Sequence, residues 1–113
     1  MELKQRIEKI WEDRSLLQSS ENQEAIRNVI EKLDSGELRV AEPSASGWQV
    51  NEWIKKAVIL YFPIQQMETI ELGPFEFHDK IKLKRNYKAL GVRVVPHAIA
   101  RYGSYVAKGV IMM

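Results

Sequence analysis

The chain has 113 residues, of which 45% are apolar and 28% charged, with a net charge of +2 and no cysteine. That length suits one domain with a modest core, in which folding removes roughly two-thirds of the extended chain's surface from water. The missing cysteines exclude a disulfide framework, a thiolate metal site and a cysteine nucleophile.

The N-terminal stretch "MELKQRIEKIWEDR" is amphipathic and acid-bearing, and it reads as neither a secretory signal nor a transit peptide. Leu3, Ile7, Ile10 and Leu17 recur at helical spacing, which predicts a first helix over 2–18. "SENQ" at 20–23 has the form of a capping box, with the Ser20 hydroxyl on the N–H of Gln23. Ile26, Val29, Ile30 and Leu33 give the stripe of a second helix, and Gly36 is placed to end it. "LRVAE" (38–42) and "WQV" (48–50) alternate like strands around the turn-prone "PSAS" and Gly47, so a short hairpin is expected. Asn51 can cap a third helix over 52–62, which should stop before Pro63. This helix is apolar on most sides and reads as the central buried element, and "AVILYF" within it is far short of the ~20 residues that span a bilayer.

From 67 to 84 the pattern is irregular and then two-residue. Phe75 and Phe77 alternate with polar residues, and Ile81 and Leu83 alternate with Lys80, Lys82 and Lys84, as on a strand with its lysines in solvent. "RNYKAL" suits one or two helical turns, ended by Gly91. Beyond it the chain divides into sixes, "VVPHAI", "ARYGSY" and "VAKGVI". First positions Val94, Ala100 and Val106 and fifth positions Ala98, Ser104 and Val110 meet the hexapeptide rule of a parallel β-helix, with Ala100 the weakest of the six. Two strands of a small α+β domain would account for the same letters. On the solenoid reading, the apolar ending "VIMM" is an edge that a further coil would cover.

Charge is lopsided. Residues 1–79 carry 9 Lys/Arg against 15 Asp/Glu, a net −6, whereas 80–113 carry 8 Lys/Arg and no acid, a net +8. Such asymmetry can mark an anionic partner, or a basic end that faces the acidic half or acidic chain beyond these residues. "KIKLKRNYK" admits a rival reading as a small nucleic-acid-binding or protein-interaction module. His78 and Asp79 are adjacent on an extended segment and so point to opposite faces, which argues against a base and its orienting acid. His97 reads as a surface histidine, Lys55 and Lys56 as solvated lysines, and Trp11, Trp48 and Trp53 as core. No HExxH, cysteine cluster or glycine-rich phosphate loop is present, so no metal or nucleotide cradle is expected.

Two stretches carry a family resemblance. "LDSGELRVAE" (33–42) is followed by "WQVNEWIKKAVILYF" (48–62), and "HDKIKLK" (78–84) leads to "GVRVVPHAIARYGSYVAKGVIMM" (91–113). Together they resemble the N-terminal region of tetrahydrodipicolinate N-succinyltransferases. The resemblance implies an α+β N-terminal domain over 1–91 and the first coil of a left-handed parallel β-helix over 92–113, with the remaining coils absent. It implies transfer of succinyl from succinyl-CoA to a dicarboxylate substrate in diaminopimelate and lysine biosynthesis, by a cytoplasmic homotrimer that binds neither nucleic acid nor membrane. Arg93, in "GVRVVP", falls where the family carries a substrate-binding arginine. The acidic catalytic residues would lie on later coils, so these 113 residues are expected to be inactive alone, with succinyl-CoA a co-substrate of the longer enzyme and no cofactor held by this chain.

Overall fold

Three helices form the body of the molecule in the computed structural model, which describes residues 2–113. α1 (Leu3–Glu12) buries Ile7 and Ile10. It stops six residues short of the predicted end. The Asp13 carboxylate accepts from the Ser15 N–H at 3.1 Å and the Ser15 hydroxyl at 2.6 Å, and this starts a separate 3₁₀ turn over Arg14–Gln18. A short acidic side chain offers nearby backbone an acceptor outside the helix ladder, and the helix breaks there.

α2 (Ser20–Ser35) buries the predicted stripe of Ile26, Val29, Ile30 and Leu33. Its cap is Ser19 rather than Ser20: the Ser19 hydroxyl accepts from the Asn22 N–H at 3.4 Å. Gln23 does not reach back to a cap. Its side-chain amide donates to the Leu17 carbonyl at 2.8 Å and ties down the preceding turn. Gly36 ends the helix as predicted, with φ of 82°. The glycine is required twice over, because a Cβ there would also lie 2.6 Å from Cδ1 of Tyr105.

α3 (Glu52–Ile64) packs against both α1 and α2 and buries Ile54, Ala57, Leu60 and Tyr61, so it is the central element as predicted. Asn51 does not cap it. The Asn51 side chain donates to the Arg39 carbonyl at 2.8 Å and to Glu42 Oε1 at 3.0 Å. The helix also runs through Pro63, which forfeits only one N–H in a final turn. Cations collect its last carbonyls: Lys80 Nζ donates to Phe62 O at 3.0 Å and Arg27 Nη2 to Ile64 O at 3.2 Å.

Two antiparallel hairpins project from this body. β1 (Ala41–Ser44) pairs with β2 (Gly47–Val50), from Ala41 opposite Val50 to Ser44 opposite Gly47. The first strand starts three residues later than predicted and takes in Pro43, which a two-stranded ribbon tolerates because both strands are edges. β3 (Glu68–Leu72) pairs with β4 (Phe75–Asp79) across a Gly73–Pro74 turn. β3 lies where the sequence reads as irregular, whereas β4 carries the predicted alternation of Phe75 and Phe77.

Residues 80–84 do not form the predicted strand; their single strand-like pairing is an isolated antiparallel bridge between Leu83 and Arg101. Nor do all three lysines face solvent. Lys84 is only 5% exposed. Its Nζ donates to Asp34 Oδ1 at 2.8 Å and to the Asp34 carbonyl at 3.3 Å, and the same Oδ1 accepts from the Gly103 N–H at 2.8 Å. Alternation predicts exposure only where a segment pairs as a strand, and here the half-buried Asp34 carboxylate of α2 decides which way Lys84 turns.

A single turn, α4 (Tyr87–Leu90), ends at Gly91 with φ of 72°. Then β5 (Arg93–Val94) pairs in parallel with β6 (Ile111–Met112), Arg93 opposite Ile111. The chain thus returns beside itself after 18 residues. Between the strands it turns at 96–97, 102–103 and 108–109. Each turn is closed by an equivalent hydrogen bond, from Ala98 N–H to Val95 O, Ser104 N–H to Arg101 O, and Val110 N–H to Ala107 O. Of the six positions picked out by the hexads, Val94, Ala98, Ala100 and Val106 are half-buried, while Ser104 and Val110 are exposed. The whole is an α+β arrangement with short hairpins, closed at its C-terminal end by one lap with three corners.

The buried pair should dominate the response to mutation. Asp34→Ala strands the Lys84 ammonium and should cost about 3 kcal/mol, whereas Lys84→Met leaves Asp34 its Gly103 N–H and should cost about half that. Urea denaturation of both variants and of the double variant checks this, and the double variant should cost less than the two single losses combined.

Candidate functional site

Arg93 stands exposed at the start of β5. Its backbone is fixed: the N–H donates to Val110 O at 3.0 Å, and the N–H of buried Val92 donates to Tyr87 O at 3.0 Å. Its guanidinium has no hydrogen bond or ion pair among the described residues. Beside it, Lys108 lays its stem over Gly91, where a Cβ would come within 2.9 Å of Lys108 Cγ. The rung that holds them together is Gly109 N–H to Gly91 O at 2.8 Å. Arg85 precedes α4 and Lys88 lies in it. These four exposed cations gather where α4 runs into β5, and none forms an ion pair among the described residues.

The other four basic residues after position 79 are committed. Lys80 caps α3, Lys82 lies 4.2 Å from the centroid of the Tyr102 ring, and Lys84 is held by Asp34. Arg101 donates through Nε at 3.0 Å and Nη2 at 2.7 Å to Asp79 Oδ2. Only two of the eight cations therefore meet a carboxylate, so the basic end is mostly not neutralised by the acidic half. In "KIKLKRNYK", Lys80, Lys82 and Lys84 are engaged within the fold, which leaves Arg85 and Lys88 for a phosphate backbone.

His78 and Asp79 do separate to opposite faces of β4. His78 Nδ1 meets the Thr69 hydroxyl at 2.9 Å, and Asp79 turns to Arg101. The Arg101 hydrogen bonds, with further ones from the Lys80 and Ile81 N–H groups, hold the Asp79 carboxyl below the usual carboxylate range. His97 is exposed, with its ring edge-on to Phe75 at 5.2 Å between centroids. Lys56 departs from expectation: it pairs with Glu8 Oε2 at 2.9 Å, which raises its pKa, and it lies over the Trp11 ring, whereas Lys55 is solvated. Trp11 and Trp53 pack against the core. Trp48 does not: on the β1–β2 hairpin it is 75% exposed, because that ribbon has no layer covering either face.

A cleft of about 750 Å³ opens over α2 among Arg6, Glu24, Arg27, Glu31, Lys82 and Tyr102. Its charges are mixed. A narrower slot of about 200 Å³ lies between the helices and the C-terminal lap, beside Leu33, Phe62 and Tyr102. Burial raises the pKa of both Tyr61 and Tyr102. No group of three or more His, Cys, Asp or Glu able to hold a metal occurs among the described residues, and no described helix is long and apolar enough to cross a membrane. The sequence marks Arg93 but not Lys108, whose only signal is a glycine opposite it, visible once the lap is closed.

Residues 2–64 match the family model described as tetrahydrodipicolinate N-succinyltransferase N-terminal. The chain belongs to this family. Curated relatives carry the match to the C-terminal end. The 2,3,4,5-tetrahydropyridine-2,6-dicarboxylate N-succinyltransferase of Bordetella avium (strain 197N) is 42% identical over 123 aligned residues, covering 100% of this chain and 45% of the relative. Those of Variovorax paradoxus (strain S110) and Paracidovorax citrulli (strain AAC00-1) are 43% and 46% identical, covering 99% and 95% of this chain and 44% and 43% of their own lengths. The chain thus spans a little under half the length of these tetrahydrodipicolinate N-succinyltransferase relatives. Arg93 and Lys108 lie beyond the stretch that the N-terminal family model covers.

The Asp79–Arg101 clamp gives a sign to pH dependence. Because the folded carboxyl sits below its ordinary value of 3.8, its contribution is present above that pH and is lost as pH falls through the depressed folded value. Stability of the wild type should therefore fall more steeply than that of Arg101→Leu between pH 5 and pH 2, as read by thermal melts across that range.

Proposed function

We propose that this chain is the N-terminal part of an enzyme that transfers succinyl from succinyl-CoA to tetrahydrodipicolinate, on the route to diaminopimelate and lysine. The carrying observation is the 18-residue lap, with parallel pairing of Arg93–Val94 to Ile111–Met112 and corners every six residues. In this reading residues 92–113 are the first coil of a left-handed parallel β-helix, and 1–91 form a wall at its entry. The assembled enzyme is a cytoplasmic homotrimer with its active sites between neighbouring subunits. The half-buried interior positions and the exposed Ile111 and Met113 side chains support stacking of a further coil on β6.

The reaction requires a neutral substrate amine to attack the thioester carbonyl. A C–N bond forms, a general base takes the amine proton, and the C–S bond breaks to release coenzyme A. Residues 80–113 hold no Asp or Glu, so the base is assigned to later coils. Arg93 binds rather than reacts. Its unpaired guanidinium is a permanently charged planar fork, suited to holding one substrate carboxylate in two parallel hydrogen bonds. Succinyl-CoA enters as a co-substrate, not a resident cofactor of this chain.

A chimera tests this, with residues 1–113 replacing the matching part of the Bordetella avium relative. It should release coenzyme A thiol only when both succinyl-CoA and tetrahydrodipicolinate are present, and the 113-residue chain alone should not. Arg93→Ala in the chimera should weaken dicarboxylate binding by about 2–3 kcal/mol, seen as a raised KM. A folded chimera without succinyl transfer would overturn the reading, and unchanged KM and kcat in Arg93→Ala would remove the arginine's role.

A further inference from the structure

We infer that Lys108 is a second carboxylate-binding residue, which forms with Arg93 a two-point grip for a small dicarboxylate. The inference rests on the transferase reading for the identity of the ligand, but its geometry is independent of it. Four cations, Arg85, Lys88, Arg93 and Lys108, gather at the α4–β5 corner without an ion pair among the described residues. Like charges gathered on one surface repel, so a bound dianion relieves a cost that the free chain carries.

Within the corner, the segment that carries Arg93 is joined to the residues that follow Lys108. Gly91 O accepts from Gly109 N–H at 2.8 Å, and Arg93 N–H donates to Val110 O at 3.0 Å, on successive rungs of one parallel ladder. Gly91 has no side chain, and the stem of Lys108 fills that space. This puts the stem of Lys108 against Gly91, a span of two residues from Arg93. The long, flexible lysine can shorten that span to suit two carboxylates on one six-membered ring, the 2,6-arrangement in the printed name of the relatives. Lys88 and Arg85 flank the pair and deepen the positive field that draws a dianion in.

The test is an NMR titration of the 113-residue chain at low salt with pyridine-2,6-dicarboxylate, compared with pyridine-2-carboxylate. The dianion should bind saturably, shift the Arg93, Gly109 and Val110 amides, and bind more tightly than the monoanion. Lys108→Met keeps the stem over Gly91 while removing the charge. It should weaken the dianion roughly five- to tenfold, the size of one exposed charge-assisted hydrogen bond, and erase the preference over the monoanion. Lys108→Arg should restore both. Dianion binding by Lys108→Met that matches the wild type would overturn the inference. If Arg93→Ala abolished binding in the same series, the role of Arg93 would survive that failure. Absence of saturable binding to the wild type would also overturn it, and the transferase reading would still be judged separately by the turnover of the chimera.

Discussion

A single half-buried carboxylate joins the two parts of this molecule. Asp34 sits in the last turn of α2 and takes, through one oxygen, both the ammonium of buried Lys84 and the N–H of Gly103. Lys84 brings in the segment after β4, and Gly103 brings in the second corner of the C-terminal lap. The Lys84 ammonium is buried, and a charge so placed is stable only when a counter-charge and hydrogen-bond acceptors are supplied, here by Asp34. No buried side-chain nitrogen or oxygen among the described residues is left without a hydrogen-bond partner. The surroundings reinforce the joint: Tyr105 lies on Gly36 with Arg39 over its ring, and Ile30 meets Gly103. The Asp-Ser-Gly at the end of α2 is therefore a docking point, and the motif has a physical meaning beyond helix termination.

That joint is what gives the α4–β5 corner a fixed place. The apolar core of α1, α2 and α3 meets the lap at its edge, through half-buried Tyr102 and the contact of Ile30 with Gly103, and Val92 is buried at the start of the lap. The lap relies also on backbone hydrogen bonds, the Asp34 connection and the Asp79–Arg101 clamp. With the lap held in this way, Arg93 sits on a defined rung and Lys108 one residue before another, rather than on a loose tail. The basic character of residues 80–113 then divides into structural cations spent on Asp34, Asp79, α3 and Tyr102, and four left facing outward.

Much of the helical body was legible in the sequence because burial and helical period coincide there. The stripe of α2 is strict, α3 is apolar on most sides, and Gly36 is placed to end α2. Of the six positions that the hexads pick out, four are half-buried and two, Ser104 and Val110, are exposed, so the six-residue pattern is followed by the corners more closely than by burial. What escaped was decided by partners far away in sequence. Lys84 looks like one more solvent-facing lysine until Asp34, fifty residues earlier, supplies its counter-charge. β3 has little two-residue signal because only Ile70 in it is even half-buried, whereas Phe75 and Phe77 of β4 alternate with polar residues. Trp48 follows the general tendency of tryptophan toward burial in its letters and defies it in its place, on a ribbon with both faces open. Local side-chain alternatives account for the other departures: Asp13 ends α1 early, Ser19 caps α2 in place of Ser20, and Asn51 turns to Arg39 and Glu42 although α3 starts where predicted.

The most direct test of the joint is amide hydrogen exchange under native conditions. If Asp34 binds lap and helices into one cooperative unit, the amides of Gly103, Lys84 and Arg93 should open with the same free energy as those of Ile30 and Leu60. Exchange of the lap amides at nearly unprotected rates, while the α2 and α3 amides stay protected, would contradict it.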